Sequence, residues 1–383
     1  MNVQGGPNPK ILKWARESIH LTIEEVAKKV KKQPNDIIEW EMGENSPTLQ
    51  QLEKLAYDVY KRPLAIFFFP EPPDEIQPEK SFRAILEEDL ELIPSEIIKV
   101  LRKAQMYQLN LAELCNDKNP MEKMIHRDIK LSPSKDIESQ AFSIRNYLSV
   151  DINEQYKWKN SEFGLKVWRE SVEQRGVFIF KEPFKNNNFS GFCLYDDEFP
   201  IIVINNSIPK TRQMFTLMHE LAHLLLGNND ILTSKERYFR YKDNNYDKLE
   251  ILSNKIASEI LIPNEIFIKS ISNIEINENS INKIASDFSV SRDVILRKLF
   301  NNDIISQNYF KRLHNKWINE FLEKAKDGKK HRGDYYNNIV TYLGKNYLNL
   351  AFQKYYTQRI DNQQLAEYLS VKISSINGIE AKL

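Results

Sequence analysis

The chain of 383 residues has only two cysteines, Cys115 and Cys193, and nothing around them suggests that they pair. A reducing cytoplasm fits that scarcity. Neither sign of charge is in excess: 54 Lys and Arg stand against 53 Asp and Glu, a formal net charge of +1. No global field therefore advertises nucleic acid or a membrane surface. Long apolar runs are missing as well. The longest, Leu64-Ala65-Ile66-Phe67-Phe68-Phe69 between Pro63 and Pro70, falls far short of the roughly 20 residues that span a bilayer. It is expected to pack under a first domain. The opening Met1-Asn2-Val3-Gln4-Gly5-Gly6-Pro7 lacks the apolar core of a secretory leader. These absences predict a cytoplasmic protein with no membrane partner. No repeat of fixed period is present. Histidine is scarce too, at six residues, four of them (His20, His126, His314, His331) scattered and expected at the surface.

The other two stand in His219-Glu220-Leu221-Ala222-His223. Imidazoles four apart on a helix project from one face, about 5–6 Å apart at their β-carbons, close enough to share one zinc ion. Glu220, next to the first imidazole, is placed to poise a water; this is the HExxH pattern of zinc peptidases. The flanks read as one helix from about Pro209 to Leu226, unbroken by Pro or Gly and closed by Gly227.

A catalytic zinc normally takes three protein ligands and leaves one position open. One subclass would place Gly at 226 and His at 229, but Leu226 and Asn229 exclude it. The alternative is a carboxylate from a second helix, and Glu250 to Leu261 before Pro263 is a good one. At about 100° per residue, Leu252, Ile256, Ala257, Ile260 and Leu261 fill one buried arc. Glu250 falls inside the edge of that arc and Glu259 just outside the opposite edge. Periodicity leans towards Glu250 and puts Glu259 at the surface, with a modest angular margin between them.

Several stretches together resemble the ImmA/IrrE family of bacterial metallopeptidases preceded by an Xre-type helix-turn-helix. They are Phe189-Ser190-Gly191-Phe192, Pro200-Ile201-Ile202-Val203-Ile204-Asn205, Arg212, Phe215 to His223, and Glu250-xx-Ser253-Asn254 through Leu261-Ile262-Pro263. Two positions depart from the family pattern, Ala222 for Gly and Ser253 for Ala, and neither is a ligand. The resemblance implies zinc (Zn2+) at His219, His223 and Glu250, with Glu220 as general base. It also implies cleavage of a transcriptional repressor or related regulator, as in stress responses or the control of mobile elements. Arg212 and Tyr246 stay open as groups that could stabilise the oxyanion.

Residues 10 to about 60 read as four or five short helices, with Thr22-Ile23-Glu24-Glu25 as a capping box. Ala27, Val30, Ile38, Trp40, Leu52 and Leu55 are the expected core. In the helix-turn-helix reading the helix after Lys31-Lys32 would enter the major groove. That helix is acidic, with Asp36, Glu39 and Glu41. Phosphate contacts would then fall to Arg16, Lys28, Lys29, Lys31 and Lys32, and base contacts to Gln33 or Asn35. Docking on DNA and docking on a protein are both open.

The expected fold is mainly α with a small β-sheet (α+β): an N-terminal helix-turn-helix bundle (1–69), a linker with a hinge at Pro70–Pro78 and a connecting helix (70–135), a zincin-like metallopeptidase core (136–300) and a helical C-terminal region (301–383). Within the core, Val177–Phe180, Phe189–Tyr195 and Pro200–Asn205 are the strands, the last two paired antiparallel through Asp196-Asp197. Ser280–Phe300 and Gln363–Asn377 resemble further helix-turn-helix pairs, and Lys324–Arg332 is a basic turn. An extended peptide could add to a free edge of the sheet, which favours a protein substrate over a small molecule. The reading from another class is a DNA-binding regulator or antitoxin-like protein whose metal site is vestigial or acts on itself. The intact His219, Glu220 and His223 favour the enzyme.

Overall fold

The computed structural model describes residues 6–73, 93–186, 188–227, 230–233, 244–327 and 333–383, without the side chains of 230–233, 244–247, 318 and 321–327. Part of the expected hinge at Pro70–Pro78, the side chains of the basic turn Lys324–Arg332 and the Tyr246 side chain lie outside the described residues. Among the described residues no helix is long and apolar enough to cross a membrane. The chain divides into two compact units, residues 1–105 and 106–383. The division falls inside a long helix, Ser95–Cys115.

The first unit begins with α1 (Pro9–Glu17), α2 (Ile23–Val30), α3 (Pro34–Met42) and α4 (Leu49–Glu53), which runs on as a π-helical stretch, Lys54–Tyr60. The capping box at α2 is present: Thr22 Oγ1 accepts from the Glu25 N–H at 3.2 Å, and the Glu25 carboxylate accepts from the Thr22 N–H at 2.9 Å. Ala27, Val30, Trp40, Leu52 and Leu55 are buried as expected, but Ile37 fills the core while Ile38 turns outward. The one-residue shift follows from Pro34 opening α3, which sets the phase of its buried stripe at Ile37 and Trp40. Phe67 of the apolar run is buried, whereas Phe68 and Phe69 are exposed.

A long helix, α5 (Ser95–Cys115), leads into the second unit. There α6 (Ile137–Leu148) and α7 (Ser161–Glu173) precede β1 (Phe178–Glu182), β2 (Phe189–Leu194) and β3 (Ile201–Asn205). Then come α8 (Lys210–Leu225), β4 (Asp230–Thr233), α9 (Asn244–Leu261), α10 (Asn264–Ile271), α11 (Glu278–Asp287) and α12 (Arg292–Asn301). They are followed by α13 (Gln307–Asp327), α14 (Tyr335–Leu343), α15 (Lys345–Tyr356) and α16 (Asn362–Leu369), and then by a short 3-10 turn, Ile373–Ser375, and α17 (Ile376–Glu380). The architecture is mainly helical with one small sheet, as the sequence predicts.

That sheet has four strands in the order β1-β3-β2-β4. β3 runs parallel to β1 and antiparallel to β2, and the fourth strand, β4, which the sequence pattern did not reveal, pairs antiparallel with β2. β1, β2 and β3 are buried along their whole lengths. Ile179, Cys193, Ile202 and Ile204 join a core with Trp168 of α7 and Leu217 and Leu221 of α8. Phe180 stacks on Tyr107 of α5 at 4.1 Å between ring centroids and meets Tyr347 of α15 edge-on at 5.2 Å. The sheet is therefore the middle of three layers.

The C-terminal helices are built into this unit rather than appended to it. The Arg169 guanidinium donates to Glu173 at 2.9 Å and to the Thr341 carbonyl at 2.7 Å near the end of α14, and it also reaches the Ile179 carbonyl of β1. Gly344, at φ +82°, leaves room for that guanidinium, because an added Cβ would lie 2.2 Å from Arg169 Nη2. The two further helix-turn-helix pairs share one turn geometry with the N-terminal pair. A left-handed residue (Lys31, Ser289, Ser370) follows the first helix. The next N–H returns to an alanine carbonyl five residues back at 2.9 Å: Lys32 to Ala27, Val290 to Ala285, Val371 to Ala366. In the middle copy the second helix, α12, is core: Val294, Ile295, Leu296 and Leu299 are buried.

β2 lies directly against α8, and Gly191 makes this approach feasible. A Cβ there would sit 2.5 Å from Thr216 Cγ2 and 2.9 Å from the Val203 carbonyl oxygen, with Glu220 Cγ next at 3.7 Å. Gly191→Ala must push the strand and helix apart. We expect a loss of about 1–3 kcal/mol, the usual cost of overpacking, read as a lower midpoint in chemical denaturation. An unchanged midpoint would contradict the close packing of β2 on α8.

Candidate metal centre

Helix α8 starts after Pro209 and ends at Leu226, with Gly227 in the left-handed region at φ +77°. Every side chain from Thr216 to Leu225 is buried. His219, Glu220 and His223 therefore sit in the molecular core. Polar groups there are costly unless partnered.

The partner comes from α9, where Leu252, Ile256, Ala257, Ile260 and Leu261 form the buried face. Glu250 lies at the edge of that face; its side chain keeps 27 % of its surface exposed. The helix starts at Asn244, so Glu250 is an interior residue rather than a first-turn acid. The two Nε2 atoms of His219 and His223 are 2.9 Å apart, and Glu250 Oε2 lies 3.5 Å from the first and 3.3 Å from the second. Two ligand atoms about 2.0–2.1 Å from one ion at tetrahedral angles are ~3.3 Å apart. Two imidazoles and a carboxylate at these separations fit a zinc-type donor set, and they form a cluster capable of holding a metal ion. Burial opposes the charge on Glu250, but the charge of His219 and hydrogen bonds from both imidazoles outweigh it. The carboxyl is held well below the usual carboxylate range.

Side chains distant in sequence fix the ligand helix. Its last carbonyls, which no residue of the helix can satisfy, are taken by Arg145 and Gln155. Arg145 Nη1 donates to the Ile260 carbonyl at 2.6 Å, and Gln155 Nε2 donates to the Leu261 carbonyl at 2.9 Å. Burial pushes the Arg145 guanidinium down to about 10. Neither residue carries a local sequence signal, since each acts through a partner over a hundred positions away. Asn254, one turn beyond Glu250, donates its amide to Glu250 Oε1 at 3.1 Å.

Other expected positions turn out differently. Glu259 is not a surface residue: it is buried and pairs with the Lys298 ammonium of α12 at 2.8 Å. It faces away from the histidines, as its helical phase predicts, but a helix 39 residues on covers it. His126 is also buried and shares the Asp197 carbonyl with Arg127. Arg212, a candidate for the oxyanion, donates to Ser190 Oγ at 2.7 Å and ties α8 to β2. It lies two helical turns before His219, about 10 Å along the axis.

In the first unit Arg16, expected as a phosphate contact, is engaged within the fold. Its guanidinium binds the Glu41 carboxylate through Nε at 2.7 Å and Nη2 at 2.8 Å, and donates to the Leu21 carbonyl at 3.1 Å. Lys28, Lys29, Lys31, Lys32, Gln33 and Asn35 are exposed around the turn into α3. The Gln33 N–H is capped by Asp36, and the Asn35 amide donates to Glu39 at 2.7 Å. The outward face of α3 also carries exposed Ile38 and Met42.

Residues 172–300 match the family model described as the IrrE N-terminal-like domain, peptidase M78, and residues 12–56 match a helix-turn-helix model. The chain is 38 % identical over 74 residues to a radiation response metalloprotease IrrE of Deinococcus deserti. It is 37 % identical over 71 residues to the protein of the same name from Deinococcus radiodurans. These stretches are 19 % and 18 % of this chain and span 26 % and 21 % of the relatives' lengths. The His219, His223 and Glu250 cluster thus falls inside the stretch 172–300 that matches the IrrE N-terminal-like domain of peptidase M78, and a helix-turn-helix match precedes it at residues 12–56.

Proposed function

We propose that this protein is a zinc-dependent endopeptidase acting on a protein substrate, with His219, His223 and Glu250 as metal ligands and Glu220 as general base. The observation that carries this reading is the convergence of three ligand atoms within 4.8 Å, beside a glutamate buried on the same helix. The names of the Deinococcus relatives support the metalloprotease class. The bound ion supplies Lewis-acid chemistry, polarising an amide carbonyl and lowering the pKa of water to about 7. Glu220 accepts the proton of the attacking water and delivers it to the leaving amine nitrogen.

An extended peptide fits this site better than a small molecule. The β1 edge of the sheet is taken up by α14 and by Arg169, whereas among the described residues no strand pairs with the outer side of β4. A substrate strand would add there. By the family resemblance, a transcriptional repressor or a related regulator is the proposed substrate, with the helix-turn-helix docking the protein on DNA or on a partner. The direct test is co-expression with the products of adjacent genes. Wild type should cleave one of them, and Glu220→Gln should retain zinc yet lose turnover by at least a hundredfold, the order expected for loss of a general base. Equal cleavage by the two proteins would rule out Glu220 as the base. A wild-type protein that binds zinc but cleaves nothing, or only itself, would favour the regulator reading.

Metal analysis separates the two acids of α9. Glu250→Ala should purify without zinc. Glu259→Ala should keep zinc but lose about 3–5 kcal/mol, because it strands the Lys298 ammonium in the core. The reverse pattern would reassign the third ligand.

For the helix-turn-helix, we expect Lys31→Ala and Lys32→Ala each to weaken duplex binding about uniformly across sequences and to lower the salt slope by about 1. Fluorescence anisotropy at several salt concentrations measures both. No binding at any salt concentration would assign the domain to protein docking.

A further inference from the structure

We infer that Asn254 is a positioning residue of the metal centre: its side-chain amide fixes Glu250 as a ligand through a single oxygen. This inference rests on the zinc reading above and adds a residue to it. Glu250 and Asn254 are four apart on α9, so their side chains share one face. Asn254 Nδ2 donates to Glu250 Oε1 at 3.1 Å, while Oε2 points at the two imidazoles from 3.3 and 3.5 Å. An ionised carboxylate only accepts hydrogen bonds, so the amide must present its nitrogen, not its oxygen. The two oxygens thereby acquire different roles, one restrained by protein and one directed at the histidines.

Glu250 needs such a restraint more than the imidazoles do. His219 and His223 stand in a stretch of α8, Thr216 to Leu225, whose side chains are all buried, whereas Glu250 keeps about a quarter of its side-chain surface open. A partly exposed glutamate has three rotatable bonds, and freezing them costs free energy. The bond from Asn254 holds the carboxylate near its ligating orientation before any metal arrives. It also occupies the oxygen that could otherwise swing inward and bind as a second donor. A monodentate carboxylate leaves a tetrahedral ion one open position, which an enzyme of this class requires. Ser253, one of the two positions where this chain departs from the family pattern, is buried, and its hydroxyl has no hydrogen-bond partner among the described residues.

The test measures zinc affinity by competition with a chromophoric chelator at neutral pH on three full-length proteins: wild type, Asn254→Leu and Asn254→Ala. Leucine keeps the volume and removes the donor. Alanine at a half-exposed helix position is favourable for folding, so at least one variant remains interpretable. We expect both variants to bind zinc 10–100-fold more weakly than wild type, the usual effect of removing an outer partner of a ligand, with the thermal midpoint of the metal-free protein unchanged. The cobalt-loaded variants should lose intensity in their visible bands relative to wild type, because the freed Oε1 raises the coordination number. Asn254→Gln, which restores a donor, should recover part of the affinity. Wild-type affinity and an unaltered cobalt spectrum in Asn254→Leu and Asn254→Ala would overturn the inference. A wild-type protein that binds no zinc would overturn the metal reading itself, a distinguishable result.

Discussion

Two imidazoles and a carboxylate meet between two packed helices, in a region where unpartnered polar groups are expensive. Much of the second unit serves to bring them there. His219 and His223 are fixed in the buried stretch of α8 from Thr216 to Leu225, and the sheet can lie against that helix only because Gly191 has no side chain. Glu250 arrives on a helix whose far end is held by Arg145 and Gln155 and whose flank is pinned by Glu259 and Lys298. A cation among these ligand atoms would offset the mutual desolvation of the three groups, so metal binding and the stability of this junction are coupled.

The layers around the site divide the labour. On one side of the sheet lie α7, α8 and the metal cluster. On the other, Tyr107 and Tyr347 pack against Phe180. The C-terminal helices are therefore part of the scaffold that supports the sheet, and Arg169 links them to β1 through main-chain carbonyls. Among the described residues no strand pairs with the outer side of β4, and the proposed polypeptide substrate would add at that edge.

What the sequence revealed was local. The metal helix was legible because its caps, its unbroken periodicity and the four-residue spacing of the histidines all lie within twenty residues. Helical phase separated Glu250 from Glu259 for the same reason. The failures were contacts made across the chain. Glu259 and His126 have polar side chains in polar surroundings, and only the fold reveals that α12 covers one and the β2–β3 turn the other. Arg16 sits where a phosphate contact is expected, yet Glu41, twenty-five residues on, takes its guanidinium. β4 is four residues long, too short to carry a pattern of its own, and its pairing depends on the register of β2. The three helix–turn–helix steps have the same turn and different environments, so the motif alone could not say that α12 is packed into the core.

We propose that one zinc ion is bound by His219, His223 and Glu250. X-ray absorption at the zinc edge on the purified wild-type protein tests it most directly. The expected result is one equivalent of zinc with only nitrogen and oxygen neighbours at about 2.0–2.2 Å, including the signature of two imidazoles. A sulfur neighbour near 2.3 Å, a single imidazole, or protein that takes up no zinc at neutral pH would contradict it.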